Sequence, residues 1–199
     1  PGTAQYFQAA FHIPDARHSD SFSLMALDAV LAGASPMTFG GGSTPTHRSA
    51  RLYKALVETE LATRAGCGYT PSIDPGLFQF YATVREGRSL EEVESAMWAE
   101  IRRVQDELVS EDELAKAQKQ AKAQFAYALE SVTNQALWLG LMEMVDSYTR
   151  FHTFLDDLTT VTADDVQRVA QTYLIETNRA VGWFVPSEAL DSPQPGTDS

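Results

Sequence analysis

Residues 39–69 read FGGGSTPTHRSARLYKALVETELATRAGCGY. Three glycines, Gly40, Gly41 and Gly42, form a loop that leads through Pro45 to a helix start bearing Arg48 and Arg51. Leu52, Ala55 and Leu56 then share one stripe at helical spacing, with Tyr53 between them. From Thr63 to Tyr69 small and polar residues alternate at a strand period. PSIDPG at residues 71–76 is a turn, and residues 77–85 alternate again. Phe78, Phe80, Ala82 and Val84 face one way there, and Gln79, Tyr81 and Thr83 the other. Two strands this close, joined by a turn, predict an antiparallel hairpin.

On the N-terminal side, residues 4–13 alternate with Phe7, Ala9, Phe11 and Ile13 on one face, a half-buried strand. Ser19 or Asp20 is placed to cap a helix running to about Ala32. Phe22, Met25, Leu27, Val30 and Leu31 make that helix apolar nearly all round, so it is expected to be well buried. Gly33 and Pro36 stop it.

On the C-terminal side, Ser89 and Glu92 are spaced as a capping box. The helix they open places Leu90, Val93, Met97, Ile101, Val104 and Leu108 on one stripe. Ser110 and Glu113 form a second box, with Val109 and Leu114 as its hydrophobic staple. That helix runs through Ala117, Ala121, Phe125, Ala128 and Val132, with a kink expected at Thr133 and Asn134 and helical spacing resuming to about Val145. A short helix follows over residues 151–158, and Thr162 caps the last one. Asn178 turns the chain into a final strand at residues 179–185. The three tryptophans, Trp98, Trp138 and Trp183, are expected in the core.

The strands are too few, and the hairpin too direct, for a doubly wound parallel sheet. The order implies an α+β fold, a mainly antiparallel sheet with helices packed on one face. The two terminal strands can join that one sheet. Residues 1–186 read as a single domain and residues 187–199 as a polar tail, expected to be disordered. The chain enters a strand almost at once, with no basic leader, as a fragment of a longer chain would.

A net charge of −12 opposes nucleic-acid binding and suits anionic membranes poorly. No apolar run is long enough to insert in a membrane. The compartment is left open between periplasm and cytoplasm. The single cysteine, Cys67, rules out an internal disulfide and reads as a buried, inert thiol.

A hydrolytic zinc site needs clustered histidines and carboxylates. His12, His18, His47 and His152 are scattered, and neither HxxEH nor HExxH occurs. The triple glycine lacks the flanking residues of a phosphate loop, and GxSxG is absent. Catalytic and metal-binding residues are therefore expected to be none. Arg48 and Arg51 sit at a helix start, the end that prefers anions. The choice is a salt bridge to an acidic neighbour or contact with a carboxylate of a partner domain.

The SRLYKAL segment, with VTADDVQRVAQTYLIETNRAVGWFVP at residues 161–186, resembles the C-terminal, non-catalytic domain of the M16 zinc metallopeptidases. That family includes pitrilysin, insulysin and the mitochondrial processing peptidases. The likeness also takes in FHIPDARHSDSFSLMALDAVLAG at residues 11–33 and the glycine-rich loop. It implies an M16 peptidase/LuxS-like metallohydrolase fold and no cofactor in this chain, the zinc lying in a companion domain of the same chain or of a partner subunit. It further implies that the two enclose a peptide substrate. By the same likeness, Gly40, Gly41, Gly42, Arg48, Arg51, Tyr53, Arg64 and Tyr69 are candidate interface or chamber residues. Some members contribute an arginine and a tyrosine to hold substrate. Those positions fall near Val57 and Thr63 here, and neither residue can do that work. The rival readings are a structural scaffold, like the core subunits of respiratory complexes, and an unrelated small-molecule-binding domain.

Overall fold

The computed structural model describes residues 4–34 and 48–186. The expectations placed on the triple glycine, Pro36, His47 and the tail lie outside the described residues. Four strands form one antiparallel sheet: β1 (Tyr6–Ile13), β2 (Ala62–Tyr69), β3 (Gly76–Val84) and β4 (Arg179–Phe184), in the order β2-β3-β1-β4. The terminal strands do pair, Phe7 facing Trp183 and Phe11 facing Arg179. The β2–β3 hairpin is also present, with a register shift between Ala62 and Arg64.

Alternation decides which face is buried. Phe7, Phe11, Phe78 and Phe80 are fully buried on the helix side. Helices α1 (Ser21–Ala32) and α2 (Leu90–Asp106) lie over that side, and α6 (Ala163–Tyr173) packs against both. Helices α3 (Glu111–Leu129), α4 (Val132–Val145) and α5 (Arg150–Thr160) build outward from α1. Among the described residues no helix covers the other face, as the α+β reading requires.

The boxes at Ser89/Glu92 and Ser110/Glu113 both form, and Thr162 with Asp165 makes a third. Each satisfies two amide groups that a helix start otherwise leaves open.

Five local expectations differ from what is observed. Asp20 flanks α1 in a helical conformation without capping it. Its carboxylate instead accepts from Tyr173 Oη at 2.7 Å and pairs with Arg168 at 2.8 Å. A distant cation and hydroxyl outcompete the local amide. Residues 53–57 form a π-turn, closed by Glu58 N–H donating to the Tyr53 carbonyl at 2.9 Å. Side-chain spacing alone does not separate one wide turn from an α-turn. Leu108 lies beyond the end of α2 and is exposed, while Val109 goes into the core. The chain breaks between α3 and α4 before Val132, where Ser131 caps the new helix, and Val132 is exposed. Trp183 is exposed on the edge strand, its Nε1 donating to Glu94.

Candidate functional site

The bare sheet face is the largest feature the fold leaves unused. By strand parity it presents Arg64, Gly66 and Gly68 from β2, Gln79, Tyr81 and Thr83 from β3, and Gln8, Ala10 and His12 from β1. From β4 it presents Ala180, Gly182 and Phe184, whose ring lies 5.7 Å from that of Tyr6. Small and polar residues make up most of the face, with Leu77, Tyr6 and Phe184 as exposed apolar points on it.

On its β2 side the Arg64 guanidinium lies over the Tyr81 ring, 5.7 Å from the centroid, within cation–π range. Tyr81 spreads across Gly66 because nothing stands there. A Cβ at Gly66 would meet Tyr81 Oη at 2.6 Å. Gly66→Ala is therefore expected to push the Tyr81 ring aside at little cost, since the obstructing atom ends a flexible side chain. The thermal midpoint should move by no more than about 3 °C, while the Tyr81 ring resonances shift.

The other candidates are dispersed. Arg51 donates to Glu113 from Nε at 3.0 Å and from Nη2 at 2.8 Å, a bidentate pair joining the π-turn to α3. Of the two readings of Arg51, the local salt bridge is the one the geometry gives. Arg48 is exposed, and Tyr53 is half-buried in the π-turn. Arg64 and Tyr69 differ by an odd number of positions on one strand and face opposite sides of the sheet. Tyr69 joins the core rim beside Pro71, Phe22 and Trp138, its hydroxyl buried without a hydrogen-bond partner among the described residues. Val57 ends the π-turn, and Thr63 is exposed, its hydroxyl 3.4 Å from the Thr83 carbonyl oxygen.

Tyr81 was missed by motif reading, which looked along β2. The signal was present in β3, where parity puts Tyr81 on the bare face; the hairpin register sets it opposite Gly66. A buried pair was missed as well: Cys67 Sγ lies 3.2 Å from Asp28 Oδ1, both inside the core. Burial raises the Asp28 carboxyl to about 7, against the opposing pull of the Cys67 thiol and the Tyr69 amide. Burial, with Asp28 beside it, also pushes the Cys67 thiol well above its ordinary value, so it is no nucleophile.

The described residues gather no zinc ligands. His12, His18 and His152 are exposed on three separate elements. Among the described residues no three His, Cys, Asp or Glu side chains could hold a metal ion.

The sequence profile of a family described as the peptidase M16 inactive domain matches residues 1–121. No curated protein matches the chain. Among solved structures, a protease from Helicobacter pylori is similar at a TM-score of 0.82 and 20% identity, over 93% of this chain and 42% of that one. The inactive peptidase domain of a presumed zinc protease from Bordetella parapertussis gives 0.79 at 24% identity, over 99% and 97%. A chain of Complex III2 from Candida albicans gives 0.71 at 14% identity, over 96% and 45%. At these identities the likeness is one of fold. The chain spans less than half the length of the Helicobacter pylori protein.

Proposed function

The chain belongs to the peptidase M16 inactive-domain family, and from that premise we propose that it is the non-catalytic half of a zinc metallopeptidase. It packs beside a zinc-bearing domain and walls the space in which a peptide is held. The companion supplies the metal, the attacking water and its base. This chain supplies shape and a wettable wall.

One observation carries the reading. The sheet is backed by helices on one side across β1, β2 and β3 and bare on the other, and the bare side carries small and polar residues among its aromatics, as a surface that slides past an extended peptide needs. Gly68 and Gly182 leave the backbone itself open to such a peptide. Arg64 over Tyr81 is the one cation–aromatic pair on that face among the described residues.

The test is reconstitution with the HxxEH-bearing M16 domain encoded in or beside the same gene. Peptide hydrolysis is expected only when both are present. Gly68 and Gly182 have no atom within 4 Å of an added Cβ, so Gly68→Trp and Gly182→Trp fill the open face without disturbing the core. Each is expected to lower hydrolysis about tenfold or more, with an unchanged circular dichroism spectrum. Full hydrolysis by the companion alone, or no effect of either tryptophan, contradicts the proposal.

The second reading, a scaffold without proteolysis, is favoured by the fold likeness to a chain of Complex III2 from Candida albicans. The companion separates the two. An intact HxxEH there supports the peptidase, and a degenerate one the scaffold.

A further inference from the structure

Helix α4 is built as though both its sides were to be buried, yet one side has no partner among the described residues. From Val132 to Met142 the sequence VTNQALWLGLM has no charge, in a chain of net charge −12. Trp138 and Val145 turn inward and are buried. Val132 (79% exposed), Leu137 (39%) and Met144 (66%) turn outward, together with exposed Ala136 and Gly140. At about 100° per residue these five span an arc of about 140°, which they share with exposed Thr133 and Glu143. The one charge in that arc, Glu143, accepts the Tyr148 amide just past the helix end at 2.9 Å.

An apolar stripe on a helix ordinarily faces a partner. The size of the uncovered strip says what can cover it. Fourteen residues make a strip about 20 Å long and 10 Å wide, on the order of 200 Å². A stable complex of two free chains needs about 800 Å² per partner, several times more. Contacts between domains of one assembly are smaller, and a tether or a second contact raises the effective concentration enough to hold them. In the Helicobacter pylori protease the matched fold occupies 42% of the chain, leaving more than its own length for other domains.

We propose that the outer face of α4 is the seat of the companion zinc-bearing domain, which covers it with an uncharged apolar surface of its own. This inference rests on the proposed function and adds the place of contact. The division of labour is then clear. The bare sheet faces the peptide, and α4, on the helix side of the molecule, holds the two halves together. Polar solvent-side substitutions are neutral elsewhere on the helices, but on α4 they strike the joint.

Amide exchange tests this with the chain alone and together with the HxxEH-bearing M16 domain. Exchange across residues 132–144 is expected to slow about tenfold or more in the joint sample. The Leu137→Lys/Met144→Glu variant, and separately Ala136→Lys, should restore fast exchange. Both change only outward side chains, so their thermal midpoints should stay within about 2 °C of the parent chain. If the two proteins associate and α4 stays unprotected, or if the charged variants stay protected, the inference is overturned and the proposed function stands. If they do not associate at all, the proposed function fails with it. If the chain alone shows concentration-dependent protection of α4, a second copy is the occupant and the inference is overturned.

Discussion

Glu113→Ala is expected to destabilise the chain by about 3 kcal/mol, lowering its thermal midpoint by about 6–12 °C. Two losses combine. The first is the capping box of α3, in which Glu113 accepts from the Ser110 amide and takes its place at the third helical position. Loss of a cap costs about 1 kcal/mol. The second is the stranding of Arg51, whose side chain is 10% exposed against 42% for Glu113. Arg51 Nη1 is already buried without a partner among the described residues, so removing Glu113 leaves a largely buried cation with weak compensation. The asymmetry is itself a prediction. Arg51→Met should cost less, about 1–2 kcal/mol, because Glu113 can turn to water and keep its cap. The double variant Arg51→Met with Glu113→Gln should recover much of the loss, since Gln can still close the box. Chemical denaturation of the three variants checks the order. Equal costs for the two single variants would show that the pair is only a surface contact.

Stability is also expected to fall as pH rises from about 4 to about 7, the reverse of the usual acid denaturation curve over that range. Asp28 is the cause. Burial raises its carboxyl from near 3.8 to about 7. Between those values the folded chain holds a proton that the unfolded chain has released. Folding is then favoured by protons, and the advantage is complete below about 4 and gone above about 7. The size is on the order of 4 kcal/mol. Glu113 works at the other end. The hydrogen bonds from Arg51 lower its carboxyl from 4.5 to about 2, against its partial burial. Its contribution is present above about 4.5 and lost as pH falls through about 2, and partial exposure weakens it. The two together place the stability maximum near pH 4–5. Asp28→Asn should flatten the fall between pH 5 and 8 and raise the midpoint at pH 8. Thermal melts of both proteins at half-unit intervals measure it. A parallel decline in parent and variant would exonerate Asp28.

These groups show what could be read from the sequence and what could not. The hairpin, the pairing of terminal strands and the buried α1 follow from period and parity in residues that all agree, such as Phe7, Phe11, Phe78 and Phe80. The capping boxes at Ser89 and Ser110 and the cap at Thr162 follow from local spacing alone. What escaped depends on partners distant in sequence. Asp20 had the position of a cap, but Arg168 and Tyr173 lie about 150 residues away and took its carboxylate. Asp28 sits in a helix with no local acidic function, and only the fold brings Cys67 beside it. Val132 and Trp183 are apolar and were read as core. Hydrophobicity gives what a side chain prefers, and the fold had no more room on its helix side.

The bare face was half legible. Parity alone puts Arg64 and Tyr69 on opposite sides of β2, while the register that sets Tyr81 against Gly66 comes from the folded hairpin. Reading along one strand hid this, and reading across the hairpin gives it. His12 lies on β1, His18 in the turn before α1 and His152 on α5.

The central claim is that this chain shapes a peptidase site whose metal it does not hold. Metal analysis of the purified chain, combined with a peptide-cleavage assay before and after chelation, tests it most directly. The account predicts far less than one zinc per chain and no cleavage by the chain alone, with chelator-sensitive cleavage appearing when the HxxEH-bearing domain is added. One tightly held zinc per chain, with cleavage that chelation abolishes in the absence of any other protein, would contradict it.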